Sequence, residues 1–430
     1  MNKNLKVLLF VIALTSCLPQ PIPNTPIKTQ QENPTQKPEP TNTVLPAPSV
    51  TTTFVVPDLQ KNCISISSNS NNKIIDGTAV FLDHLGQSIM LMGEHELQIP
   101  EEFKGNNGNS EQSVSPDGNL LMYRQVKYEP AQSNLTVVAS DGHVVRDFPD
   151  DQRWVSGTVW LSNEYIRYPM KSQTDNKQLK LYALNVVTGK THELRTDLPD
   201  IADNDRIDWG IDKWAIYFGA TKGVNIVYDS SLNLTVYPKK GLNDYLASLH
   251  DVHKDTELAA IQLAGSDDPK WSPDGQYFSI IGVDPTTRAR DIYIVSRDGG
   301  QFMPLTNLTK LYPKVNFESY SWSPDSSQIA FWAHLEDSQT EDNDSSLFLF
   351  DVVTMKLTDL CIKGIGNNPP LGIKTSLDMR GKPIWSPDSR KLLIARYDSN
   401  TKSVIDTLID LENKIAYPVA TDLEPIGWMK

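Results

Sequence analysis

The chain has 430 residues, too many for one ordinary hydrophobic core, and at 39% hydrophobic and 22% charged it reads as soluble and folded. Its formal net charge is -13, of which residues 1–58 hold +1 and the remainder about -14; this disfavours nucleic acid and anionic membrane surfaces, because phosphate binding needs clustered Lys and Arg. Three cysteines, Cys17, Cys63 and Cys361, are too few for a disulfide scaffold or a Cys-based zinc site.

Residues 1–17 carry Lys3 and Lys6, then the apolar run Val7 to Leu14, too short to span a bilayer, then Leu14-Thr15-Ser16-Cys17. This resembles the bacterial lipobox. The resemblance implies cleavage after Ser16 and a lipid on Cys17, leaving the protein extracytoplasmic and anchored to the cell membrane or, where one exists, the outer membrane. Residues 18–58 follow with ten of the chain's 29 prolines. Such a segment buries too little apolar surface to offset its ordering entropy and reads as a disordered tether.

From residue 59 to 430 the composition changes to short β-type runs separated by turn residues. One phrase recurs: Val114-Ser115-Pro116-Asp117-Gly118, Trp271-Ser272-Pro273-Asp274-Gly275, Trp322-Ser323-Pro324-Asp325-Ser326 and Trp385-Ser386-Pro387-Asp388-Ser389. Ser, Pro, Asp and Gly are tight-turn residues, and each copy precedes an apolar strand. After Trp271 come strands over Tyr277 to Ile281, Asp291 to Ser296 and Gln301 to Leu305, which makes a four-stranded antiparallel unit. Two degenerate copies begin at Trp160 and Trp209. Trp428, two residues from the end, has no strands after it. Ile64 to Ile66, Thr78 to Leu82 and Ser88 to Met92 look like the later three strands of a unit that lacks a first. The economical solution is a ring that the strand at Trp428 closes.

The phrase resembles the repeat of TolB-type β-propellers, related in shape to WD-repeat propellers. The resemblance implies an all-β propeller of four-stranded antiparallel blades. Seven blades fit the spacing; six or eight also remain compatible. It implies that the repeat residues are structural; the partners of family members do not carry over, and the expectation of a monomer that binds an envelope protein is separate from the resemblance. No GxSxG elbow occurs, so the propeller-peptidase chemistry has no nucleophile of that type. The leading expectation is a non-catalytic binding or scaffolding module. The alternative is a glycan- or peptide-binding propeller, or an enzyme using the central channel.

In this geometry the turns between first and second strands, and between third and fourth, share one face and are short. The other face would carry the longer segments 95–112, 125–133, 196–207, 238–267, 307–319, 333–346 and 360–383, and is the expected binding face. Asp203 and Asp205, and His334, Asp337, Asp342 and Asp344, are its candidate binding residues. They read first as solvated acidic loops. Calcium is the alternative occupant, though neither loop has the DxDxDG pattern, and no cofactor is expected. His250-Asp251-Val252-His253 lacks the spacing and the Glu of a helical zinc motif. Cys63 and Cys361 are a candidate disulfide in an oxidising compartment, although by this register they fall in the first and sixth blades, which are not neighbours.

Overall fold

The computed structural model describes residues 59–67, 75–83, 89–93, 109–128, 131–149, 158–171, 179–201, 226–240, 245–263, 269–284, 286–336, 345–364, 382–398 and 403–430. Two short N-terminal strands come first, β1 (Leu59–Lys61) and β2 (Ser65–Ile66). Blade one has β3 (Thr78–Asp83) and β4 (Ile89–Gly93). Blade two runs through β5 (Asn109–Val114), β6 (Leu120–Tyr128), β7 (Ala131–Ala139) and β8 (Val144–Pro149). Blade three runs through β9 (Val159–Trp160), β10 (Tyr165–Lys171), β11 (Leu179–Asn185) and β12 (Thr191–Leu194). Blade four is β13 (Val227–Tyr228), β14 (Leu234–Lys240), β15 (Tyr245–Asp251) and β16 (Thr256–Leu263). Blade five is β17 (Lys270–Trp271), β18 (Tyr277–Val283), β19 (Arg290–Ser296) and β20 (Phe302–Pro304). Blade six is β21 (Lys314–Trp322), β22 (Gln328–Glu336), β23 (Ser345–Asp351) and β24 (Lys356–Gly364). Blade seven is β25 (Ile384–Trp385), β26 (Lys391–Asp398), β27 (Ser403–Asp410) and β28 (Ile415–Thr421), and β29 (Leu423–Met429) ends the chain.

Within each blade the strands lie side by side in chain order, with β1 and β2 added at the outer edges of blades six and seven. The exception is the expected one: β29 returns to pair antiparallel with β3, Trp428 opposite Ala79, and supplies the first strand of blade one. The fold is a seven-bladed β-propeller closed by its C-terminal strand. At the seam β29 passes so near β5 that a Cβ on Gly427 would collide with Val114. Lys430 N donates to Gly118 O at 2.8 Å, tying the end of the chain to the turn of blade two.

Blade five shows why these strands are apolar almost throughout. Side chains alternate across a strand. Phe278, Ile280, Tyr293 and Val295 therefore face blade four, where they meet Val236, Ala247 and Leu249. Ile281, Ile292 and Ile294 face blade six and meet Phe317, Phe331 and Phe348. A sheet covered on both sides has no face left for alternation with polar residues. The same pairing of neighbours makes seven apolar clusters among the described residues, one at each blade boundary, including that between blades seven and one. Each fully buried Phe or Ile contributes on the order of 1.5–3 kcal/mol. The core is thus a ring of seven wedges.

Three expectations need correction. The run at Ile64 to Ile66 is not in blade one. β1 pairs in parallel with β24, outermost in blade six, and β2 pairs in parallel with β28, outermost in blade seven. Ile64 is the reason: it buries its side chain between blades six and seven. Second, the degenerate copy expected to begin at Trp209 does not supply the first strand of blade four, which is Val227–Tyr228; Trp209 itself lies outside the described residues. Third, several segments read as long loops are strands. Residues 125–128 pair with 131–134, Tyr128 opposite Ala131, 238–267 contain β15 and β16, and 307–319 contain a 3-10 turn at Leu308–Lys310 and the start of β21. Polar residues such as Thr256, Glu257 and Gln262 sit on these strands where a sheet edge or turn meets water, and they mimic a loop composition.

Candidate functional site

The repeat phrase is fully engaged in structure. In each copy the Ser hydroxyl donates to the Asp two residues on, at 2.6–2.7 Å, and accepts the backbone N–H five residues on, at 2.9–3.0 Å. The Asp also receives the N–H two residues beyond itself. At Asp325 that network holds the carboxyl below its usual range: burial opposes it, and the Ser323 hydroxyl and Ser327 N–H favour the charged form. The fourth turn residue takes a left-handed backbone, φ +74° at Gly118 and +68° at Gly275, but also +63° at Ser326 and +62° at Ser389. Those two serines reach the preceding blade: Ser326 Oγ accepts from Asp274 N at 3.0 Å, and Ser389 Oγ from Asp325 N at 3.1 Å. Gly118 has no such room, because a Cβ there would lie 2.8 Å from Pro387 Cγ.

The Trp residues work between blades, as wedges. Trp160 Nε1 donates to Ser113 O, Trp271 to Val227 O and Trp385 to Ser321 O, each in the first strand of the blade before. Trp322 donates to Ser279 Oγ at 2.8 Å, and Trp428 to Asp76 O at 2.8 Å.

Of the candidate binding residues, Asp203, Asp205, Asp337, Asp342 and Asp344 lie outside the described residues, as does Cys17. His334 is half-buried near the end of β22, opposite Asn316 and Ser345. The histidine pair at 250 and 253 is divided. His250 is buried on β15, edge-on to Tyr237, with Nε2 3.1 Å from Asp255 Oδ1. Arg195 Nη1 donates to the same oxygen at 2.8 Å, and these two partners, Arg195 first, hold the Asp255 carboxyl below its usual range. His253 sits in the turn after β15 and gives its backbone N–H to Asp251. Among the described residues no group of three or more His, Cys, Asp or Glu is placed to hold a metal ion.

Cys63 and Cys361 are joined in a disulfide, Cα to Cα 4.8 Å. Their blades by the sequence register are not neighbours, but Cys63 belongs to the segment between β1 and β2 that crosses blades six and seven. Cys361 sits where the register of β24 against β23 slips, with φ +56°.

A groove of about 740 Å³ opens between blades four and five on the short-turn face, opposite the expected binding face. Its rim includes Asn233, Lys254, Gln276, Arg297, Asp298 and Gln301. The charged members are already bonded. Lys254 pairs with Asp251 at 2.9 Å, Arg297 with the fully buried Asp229 at 2.7 Å, and Asp298 accepts from Ser296 Oγ and Gly300 N. What the groove offers a ligand is the carboxamides of Asn233, Gln276 and Gln301, which can both donate and accept. Sequence reasoning missed it because its residues come from four turns in two blades. The sole local signal was Tyr228-Asp229-Ser230-Ser231, a turn phrase without its Trp or Pro.

No family model matches the chain, and no curated protein matches it. Solved structures similar to it include an oligogalacturonate lyase from Vibrio parahaemolyticus, at 12% identity over 82% of this chain and 86% of that one, TM-score 0.48. A TolB-like protein from Agrobacterium tumefaciens is 14% identical over 73% of this chain and 95% of that one, TM-score 0.36. A prolyl endopeptidase is 14% identical over 80% of this chain and 48% of that one, TM-score 0.46. The neighbours thus include enzymes and a TolB-like protein.

Proposed function

We propose that the protein is a lipid-anchored, extracytoplasmic propeller that binds an envelope protein without transforming it. The carrying observation is the groove between blades four and five. Ser296, Asp298 and Lys254 are bonded within their own turns and Arg297 is bonded to Asp229 of blade four, so the groove's uncommitted groups are the side-chain amides of Asn233, Gln276 and Gln301, suited to holding a polar protein segment. The Cys63–Cys361 disulfide supports an oxidising compartment, as the lipobox resemblance implies. The acidic balance of the chain suits a partner with basic surface and keeps the ring soluble beside a membrane.

Two measurements test this. Mass spectrometry of the mature protein should find diacylglycerol on Cys17, and Cys17→Ser should release the protein from membranes. Crosslinking in envelope extract should yield one dominant protein adduct, reduced at least tenfold by Gln276→Arg with Gln301→Arg. Turnover of a glycan or peptide by the purified protein would instead establish the enzymatic alternative.

A further inference from the structure

We infer that residues 59–67 form a redox-gated latch: the Cys63–Cys361 disulfide holds this strap across the outer edges of blades six and seven, and a dithiol reductant releases it while the ring stays closed. The strap is held lightly by everything except the disulfide. β1 and β2 are three and two residues long, and most of their side chains are exposed. Besides the short parallel ladders of β1 on β24 and β2 on β28, four backbone bonds fix the segment: Asn62 N to Asp359 O, Ile64 N to Leu360 O, Ser65 N to Lys414 O and Ser67 N to Ala416 O. Ile64 alone is buried. Ordering nine residues opposes these short ladders and few bonds, the buried Ile64 and the half-buried Leu59 against the cluster of blades five and six, so the segment belongs at the low-stability end of the molecule. The disulfide changes that balance, because with Cys63 fixed at Cys361 the strands on either side can only open and reclose locally.

The bond is also reachable. Cys63 is exposed and Cys361 half-buried. A thiolate of the reductant attacks Cys63 Sγ, forming a mixed disulfide and expelling the Cys361 thiolate, which takes a proton. The second thiol of the reductant then displaces Cys63 as a thiol, and the reductant leaves as its own disulfide. Two electrons and two hydrogens pass to the protein.

The topology gives this latch a consequence. The chain runs from the strap through Asp76 into β3, the strand that β29 must hold to close the ring. With the disulfide intact, a pull on the N-terminal segment ends at Cys63 and passes to blade six. Without it, the same pull peels β1, then β2, and reaches the closing blade. Release also uncovers the outer edges of β24 and β28, which become open strand edges. The inference is independent of what the groove binds.

Hydrogen exchange of the full-length protein, oxidised and after complete reduction with dithiothreitol, tests it. The expected result is at least tenfold faster exchange on reduction in residues 59–67 and in the edges 357–360 and 415–416, with β26, β27 and β29 unchanged. Cys63→Ser should reproduce that pattern without reductant. Unchanged exchange in 59–67 after complete reduction would overturn the latch. So would joint exposure of the strap with β26, β27 and β29, which would make the disulfide a simple fold staple.

Discussion

In blade five the hydroxyl of Ser272 closes the turn, donating to Asp274 and accepting from Tyr277 N; in blade four the carboxylate of Asp229 stands in its place. The backbone is the same in both. Asp229 N donates to Leu234 O as Ser272 N does to Tyr277 O, and Leu232, at φ +61°, occupies the position of Gly275. The chemistry differs. A carboxylate cannot donate, so it takes the N–H groups of Asn233 and Leu234 on one oxygen and the Ser231 hydroxyl on the other. It also carries a charge into a site with no solvent exposure, and blade five sends Arg297 to meet it at 2.7 Å. The turn is therefore a geometric requirement that two different polar groups satisfy. Only the version with a charge binds its neighbour through an ion pair, and that ion pair lies beneath the candidate groove.

The largest effect should come from breaking that pair. Arg297→Met leaves Asp229 buried without a cation, and should lower the stability measured by urea unfolding by about 3 kcal/mol, the low end for a stranded buried charge because Arg297 is partly exposed. Adding Asp229→Asn should recover more than half of that loss. Equal loss in the single and double variants would show that the pair is incidental to the blade-four turn.

Blade seven supplies a buried acid without a cation. Asp406, on β27, has no solvent exposure; one oxygen accepts Leu423 N at 3.2 Å and the other has no hydrogen-bond partner. Burial first, with the charges of Asp422 and Glu424, pushes its carboxyl up to about 7. The folded protein then binds this proton more tightly than the unfolded chain does. Folding takes up a proton between pH 4 and 7, so stability from this group is present below about pH 4 and falls as pH rises through 7. Asp406→Asn should flatten that slope and leave the variant about 2 kcal/mol more stable than the parent at pH 8, discounting relaxation around the buried charge. Asp291, buried on β19 and raised to about 6, adds a slope of the same sign that remains in the variant. An unchanged pH profile would mean that Asp406 does not hold its proton in the folded protein.

The indoles distinguish regular from degenerate boundaries more finely. Trp322 is nearly buried between blades five and six and bonds to Ser279 Oγ at 2.8 Å, whereas the half-buried Trp271 reaches Val227 O, in the degenerate blade, at only 3.4 Å. Trp322→Phe should cost about 2 kcal/mol and Trp271→Phe less than about 1 kcal/mol by thermal or urea unfolding.

These contrasts explain what could be read in the sequence. Trp271, Trp322 and Trp385 mark blades because a large apolar body with one N–H donor suits a boundary that is dry except for one acceptor oxygen, a backbone carbonyl for Trp271 and Trp385 and the Ser279 hydroxyl for Trp322. Trp428 marked the closing strand for the same reason. Blade four was misplaced because Tyr228 and Asp229 meet the geometric need with other atoms, and the more conspicuous Trp209 drew the register away from them. The strap was misread because Ser65 and Ile66 are too few residues to show which sheet they join; that choice is made by Ile64 and Cys63, whose partners are almost 300 residues distant. The groove was invisible for a related reason: Gln276 and Lys254 gain significance only from the packing of one blade on another.

The smallest effect tests whether the left-handed turn position is a strain or a bond. Gly275 takes its positive φ freely, whereas Ser326, at φ +63°, is strained by its Cβ but receives Asp274 N at 3.0 Å across the blade boundary. Ser326→Gly removes both the strain, about 1 kcal/mol, and the partly exposed hydrogen bond, about 0.5–1.5 kcal/mol. The two nearly cancel, and stability should change by less than about 0.5 kcal/mol. Ser326→Ala keeps the strain and loses the bond, so it should fall by about 1 kcal/mol. If Ala and Gly are equally destabilised, the positive φ carries no penalty here and the cross-blade bond alone explains the serine. If Gly instead stabilises by about 1 kcal/mol, the bond contributes nothing, and blades five and six are held at this turn by their apolar wedge.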